Sequence, residues 1–100
     1  MIVYNITIKI EWDVHQKWLA FMREKHIPDM LNTGLFHGHK LYRIMEEDEQ
    51  DGVTYSVQYH LQNITDYFTY KNDFAKALQE EHTALFKDKF VAFRTLLREV

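Results

Sequence analysis

The chain has 100 residues, the size of a single domain, and one domain over residues 1–100 is expected. Its 12 basic and 15 acidic residues are scattered and give a net charge of −3, without the basic stripe that a nucleic-acid partner requires. Cysteine is absent, which excludes disulfides, thiol nucleophiles and cysteine-ligated metal and fits a reducing compartment.

The opening MIVYNITIKI has no basic region ahead of its apolar run, so it does not read as a signal peptide. No run approaches the ~20 apolar residues that span a bilayer. A cytoplasmic protein with neither membrane nor nucleic-acid partner is the expectation.

Residues 2–10 alternate strictly, with Ile2, Tyr4, Ile6, Ile8 and Ile10 on one side, and predict a strand with one apolar face. Asp13 as N-cap, with Gln16 three residues on, predicts a capping box. The helix that follows puts Val14, Trp18, Phe21 and Met22 on one arc, with Leu19 at its edge. Pro28 biases Ile27 away from helical geometry, so the helix is expected to end near His26. A short turn over 28–33 then stops at Gly34.

Residues 35–47 predict a second strand, with EDEQDG as the turn after it. Residues 53–61 predict a third strand with Val53, Tyr55, Val57, Tyr59 and Leu61 inward. Asn63 or Thr65 caps a long helix ending near Phe86, whose apolar arc holds Tyr67, Phe74, Ala75, Leu78 and Leu85. Lys71 and His82 lie within that arc. A loop over 87–89 precedes a last strand over 90–97. The order β-α-β-β-α-β is the split βαβ, ferredoxin-like arrangement: an α+β fold with a four-stranded antiparallel sheet and two helices on one face.

If Glu47 faces Gly52 across the turn, Tyr42 pairs with Val57 and Ile44 with Tyr55 on the helix side. His39 then lies opposite His60 on the uncovered face, with His37, Leu41 and Arg43. In the last strand Val91, Phe93, Thr95 and Leu97 are placed toward the helices and Arg94 away. The uncovered face is thus mixed, with Arg43, Gln58 and Arg94 among its polar members. It suits sheet-on-sheet packing of two copies.

His37, His39 and His60 are the nearest approach to a metal site, since His-x-His on a strand shares a face. No fourth ligand accompanies them, so no metal is expected. The acidic run 46–51 lacks a full calcium-loop pattern, and no Gly-rich phosphate loop or nucleophile elbow occurs. No cofactor is expected. Stacked RNA bases need aromatics on the uncovered face, and Tyr55 and Tyr59 point to the helices instead. Trp18, Met22, His26, Tyr55, Tyr59 and His82 are the candidate lining of a site between helices and sheet, because aromatic walls with a few polar groups are what small ligands require.

Along nearly its whole length, through IVYNITIKI, HQKWLAFMREKHIPDMLNTGLF, VTYSVQY and KFVAFRTLL, the chain resembles a bacterial family of small proteins of unknown function. That family has the ferredoxin-like fold of the dimeric α/β-barrel superfamily. The resemblance implies a homodimer with facing sheets. The superfamily also holds monooxygenases, haem-degrading enzymes, isomerases and stress proteins, so no activity follows from it. Haem-degrading members pair an Asn on the first strand with a His on the second helix, as Asn5 and His82 could. The strand alternation turns Asn5 away from the helices and the second helix has no Trp, so haem chemistry is not expected. Two readings remain: a dimer binding a small, partly apolar ligand, with or without cofactor-free chemistry, or a non-catalytic dimerisation or protein-interaction module with a filled core.

Overall fold

A computed structural model describes residues 1–100. Four strands, β1 (Ile2–Glu11), β2 (Gly38–Arg43), β3 (Gly52–Leu61) and β4 (Phe90–Arg98), form one antiparallel sheet in the order β2-β3-β1-β4. The connection from β1 to β2 carries α1 (His15–Phe21), a π-helical turn (Met22–His26) and α2 (Ile27–Asn32). The connection from β3 to β4 carries α3 (Ile64–Asp73) and α4 (Ala75–Phe86). This is the ferredoxin-like α+β topology. No helix is long and apolar enough to cross a membrane.

The core lies between the helices and one sheet face, and the alternation in β1 and β3 sets it: Tyr4, Ile8, Ile10, Val53, Val57, Tyr59 and Leu61 are buried. Trp18, Met22, Ile27 and Met30 descend onto them from the first helical segment, and Tyr70, Ala75 and Phe86 from the second.

Pro28 does not break the first helix. The turn Met22–His26 widens so that the Ile27 N–H bonds back to the Met22 carbonyl, and Ile27 keeps helical angles (φ −63°, ψ −46°). An extra residue in the turn gives a backbone lacking one N–H a path that stays helical. Gly34 does stop the run, in the left-handed conformation at φ 80°. The capping box does not form. Asp13 sits inside a 3₁₀ turn (Trp12–Val14) and accepts from Lys89 at 2.8 Å. Asn63 is the cap of α3, accepting from the Asp66 N–H at 3.0 Å.

The long second helix is interrupted at Phe74 (φ −126°, ψ −32°). The phase of its apolar arc changes there. Tyr70 and His82 are buried, while Lys71 and Leu85 are exposed.

Two strands depart from the expected facing. β2 is shorter than predicted, and pairs Gly38 with His60 and Tyr42 with Ser56, one residue away from the expected register. A one-residue slip exchanges the two faces. His39, Leu41 and Arg43 therefore lie on the helix side, and Lys40 and Tyr42 on the uncovered side. The cause is the connection after β2. It is not a tight turn but a loop over residues 44–51, with Glu46 at φ 61°, pinned by the Trp12 indole N–H to the Glu49 carbonyl (2.6 Å) and by the Arg43–Glu49 ion pair.

β4 is likewise reversed. Ile6 pairs with Arg94, Ile8 with Ala92 and Ile10 with Phe90, so Arg94 faces the helices and Val91, Phe93, Thr95 and Leu97 face away. The turn before β4 fixes this: Asp88 is left-handed (φ 63°), the Lys89 N–H bonds to the Phe86 carbonyl and the Lys89 carbonyl accepts from Glu11.

Candidate ligand-binding cavity

A cavity of about 50 Å³ lies between the π turn, α4 and the inward face of β1, β3 and β4. Most of its lining is apolar, and its polar groups converge from separate elements. Trp18, Met22 and His26 come from the first helical segment, Tyr59 from β3 and His82 from α4. These are five of the six candidates read from the sequence. The sixth, Tyr55, lies aside from the cavity, where its hydroxyl pairs with His15 Nε2 at 2.7 Å and its ring stacks on the same imidazole.

The widened turn brings Met22 and His26 to the cavity together. A π turn inserted into a helix re-aims the side chains of that turn, and such turns recur at functional sites. His26 and His82 approach with ring centroids 6.0 Å apart, and the Phe90 ring meets His82 edge-on at 4.6 Å. Trp18 donates its indole N–H to His82 Nε2 at 2.9 Å. The neutral His82 ring consequently carries its proton on Nδ1. Burial, reinforced by the positive fields of His26 and Arg94, pushes the His82 pKa down to about 4. Burial also lowers His26, against the raising influence of Glu81 and Asp29. At neutral pH both rings are uncharged.

Two polar atoms in this lining are buried and without a partner: the Tyr59 hydroxyl and His26 Nδ1. An unpaired buried polar group costs about 1–3 kcal/mol, so a native orphan asks for an explanation. Burial also drives the Tyr59 pKa upward, leaving its hydroxyl a neutral donor.

The lining also holds residues outside the sequence-derived set, among them Tyr4, Tyr70 and Arg94. Tyr4 was placed inward by the alternation of β1 but not assigned to a site. Tyr70 lies off the arc that a single unbroken helix would bury, because the break at Phe74 changes the helical phase. Arg94 escaped because β4 has apolar residues on both faces, so periodicity could not choose between them. The pattern FVAFRTLL, with apolar residues at both phases, carries no period-two signal for its orientation.

The uncovered face carries a polar centre, where Ser56 donates to Asn5 Oδ1 (2.5 Å) and Asn5 donates to Thr7 (3.1 Å). Asn5 therefore sits across the sheet from His82, and the two cannot act in one site. On the same face Val91, Phe93 and Leu97 are 70%, 63% and 43% exposed, and Tyr42 is also exposed. Of the expected dimer-face residues only Gln58 is here. Arg43 has turned to Trp12, its guanidinium 5.8 Å from the indole centroid, and Arg94 has turned to the cavity. The histidine trio is not assembled either. His37 and His60 have rings 5.8 Å apart, but His39 lies on the opposite face, and no three His, Asp or Glu side chains gather in metal-binding geometry.

All of residues 1–100 match the family described as Domain of unknown function (DUF4286). The chain belongs to that family. No significant match is found among curated proteins. Solved structures resemble it in fold at low identity. An EthD-family protein from Bacillus halodurans is 15% identical with a TM-score of 0.68, each chain covered in full. Hydroxynitrile lyase from Passiflora edulis is 17% identical with a TM-score of 0.66, over 99% of this chain and 95% of that one. A dimeric ferredoxin-like protein from an uncultured marine organism is 13% identical with a TM-score of 0.64, over 100% and 95%. At such identities the likeness establishes the ferredoxin-like fold, and function must be argued from the site.

Proposed function

We propose that the protein is a homodimer with facing sheets and that each protomer binds a small, partly apolar molecule between helices and sheet. The observation that carries the ligand is the cavity itself: apolar walls in which the Tyr59 hydroxyl and His26 Nδ1 have no protein partner. A bound molecule would offset that cost. At about 50 Å³ the space is far below the several hundred Å³ of a drug-sized pocket. Its occupant is a compact molecule, or the head of one whose remainder leaves past exposed Thr83 and Arg94.

Val91, Phe93 and Leu97 support the dimer. Exposed together on one strand, around a hydrogen-bonded polar centre, they suit a partly wet sheet-on-sheet interface. The dimeric ferredoxin-like neighbour is consistent with the same assembly.

The second reading, a non-catalytic dimerisation module with a filled core, draws on the small size of the cavity and the breadth of the buried cluster around it. Native mass spectrometry of protein purified from its own host separates the two. A dimer retaining a small adduct supports ligand binding. A bare dimer favours the module, and a bare monomer removes both.

A further inference from the structure

Arg94 is the cation of the cavity, and it has no anion. Every ion pair in the molecule leaves it out. The carboxylates whose fields reach His26 are Glu81 and Asp29. Both are paired with Lys25, Glu81 through Oε2 while its Oε1 is buried without a partner, and neither lines the cavity. The field of Arg94 reaches inward instead, to Tyr4, Tyr70, His26 and His82. Its exposed position at the mouth keeps the charge solvated while the cavity is empty.

Behind it the wall is apolar, with Ile6, Met22, Val57 and Ala92, and the Tyr59 hydroxyl waits as an unpaired donor. A guanidinium fits a carboxylate with two parallel N–H···O bonds, and fits it better in a partly dry site. A phosphate-bearing ligand would want more than one cation and a wider site, and here a single cation stands over a small, mostly apolar chamber.

Building on the ligand-binding reading above, we infer that the cavity is specific for a short-chain carboxylate, its anionic end held by Arg94, its aliphatic body on Met22 and Val57, and Tyr59 donating to one of its oxygens. The charge of the ligand, rather than its shape alone, decides entry. Arg94 belongs to an edge strand and lies at the mouth, so replacing it leaves the packed core untouched.

The test uses the intact protein and two isosteric probes, propionate and the neutral propionamide, at pH 7. Binding is followed by NMR at the Trp18 indole N–H, whose bond to His82 borders the cavity. The expected result is saturable binding with propionate favoured by about tenfold or more, as a charge-assisted Arg pair provides. Arg94→Gln then removes that preference, so that the two probes bind alike. Equal binding of the two probes, or a propionate preference that survives Arg94→Gln, overturns the carboxylate assignment and leaves the pocket standing. Failure of both probes to move the indole resonance at saturating concentration overturns the assignment and the pocket together.

Discussion

The Trp18 indole N–H donates to His82 Nε2 across 2.9 Å, joining residues 64 positions apart in the chain. The bond ties α1 to α4 over the sheet, and both partners are buried. It can exist only while His82 Nε2 has a free lone pair, that is, while the ring is neutral. Stability is thereby coupled to the protonation of one histidine.

Its folded pKa is about 4, below the ~6.5 of an unfolded chain. The unfolded state thus binds the proton more readily, and stability contributed by the neutral ring is present above pH ~6.5 and lost as pH falls toward 4. The expected loss at pH 4 is on the order of 3 kcal/mol from this residue, with His26 shifted in the same direction. Urea unfolding at a series of pH values checks this. In His82→Gln the slope between pH 6.5 and 4 should become shallower, and an unchanged slope would assign the acid sensitivity to other groups.

Tyr59→Phe removes the buried hydroxyl that has no partner. Most large core substitutions destabilise, but this one deletes an uncompensated polar group and leaves the ring packing against Phe36 and Tyr4 in place. Stability of the ligand-free protein should rise by about 1 kcal/mol. A fall of the same size in the denaturation midpoint would mean that the hydroxyl has a partner.

Pro28 lies in the first turn of α2, directly after the π turn. There its fixed φ matches the helix, and it limits the unfolded chain. Pro28→Ala is expected to destabilise by roughly 0.4–1 kcal/mol, the opposite sign from removal of a helix breaker. Thermal unfolding of the two proteins side by side decides the sign.

Phe93 projects from β4 away from the helices and is largely exposed. If the sheets face one another in a dimer, Phe93→Asp places a charge in that interface without touching the core. Light scattering at micromolar concentration should give a dimer for the parent chain and a monomer for the variant, with an unchanged circular dichroism spectrum. A parent chain already monomeric would refute the proposed assembly.

β1 and β3 could be read directly, because period-two alternation between Ile or Val and polar residues has one solution when one face is buried. Trp18, Met22 and His26 could be placed on one helical arc, and His82 inside another, for the same reason. β2 and β4 could not be oriented in this way. Leu41 and Tyr42, or Phe93 and Arg94, offer each face something apolar and something polar, so the pattern is degenerate.

What the amino-acid order determined by itself was the succession of elements, the inward faces of the two central strands and part of the cavity's lining. Those follow from local periodicity, which needs no partner strand. The tertiary structure alone decided that Arg43 and Arg94 turn inward, that Val91 and Phe93 turn outward and that Pro28 is absorbed in a widened turn. Each depends on a backbone or side-chain hydrogen bond that hydrophobic periodicity does not encode: Trp12 to Glu49, Glu11 to Lys89, Ile27 to Met22. A register shift of one residue exchanges an entire face, so the inward turn of Arg94, the cation of the cavity, follows from strand pairing and not from local sequence.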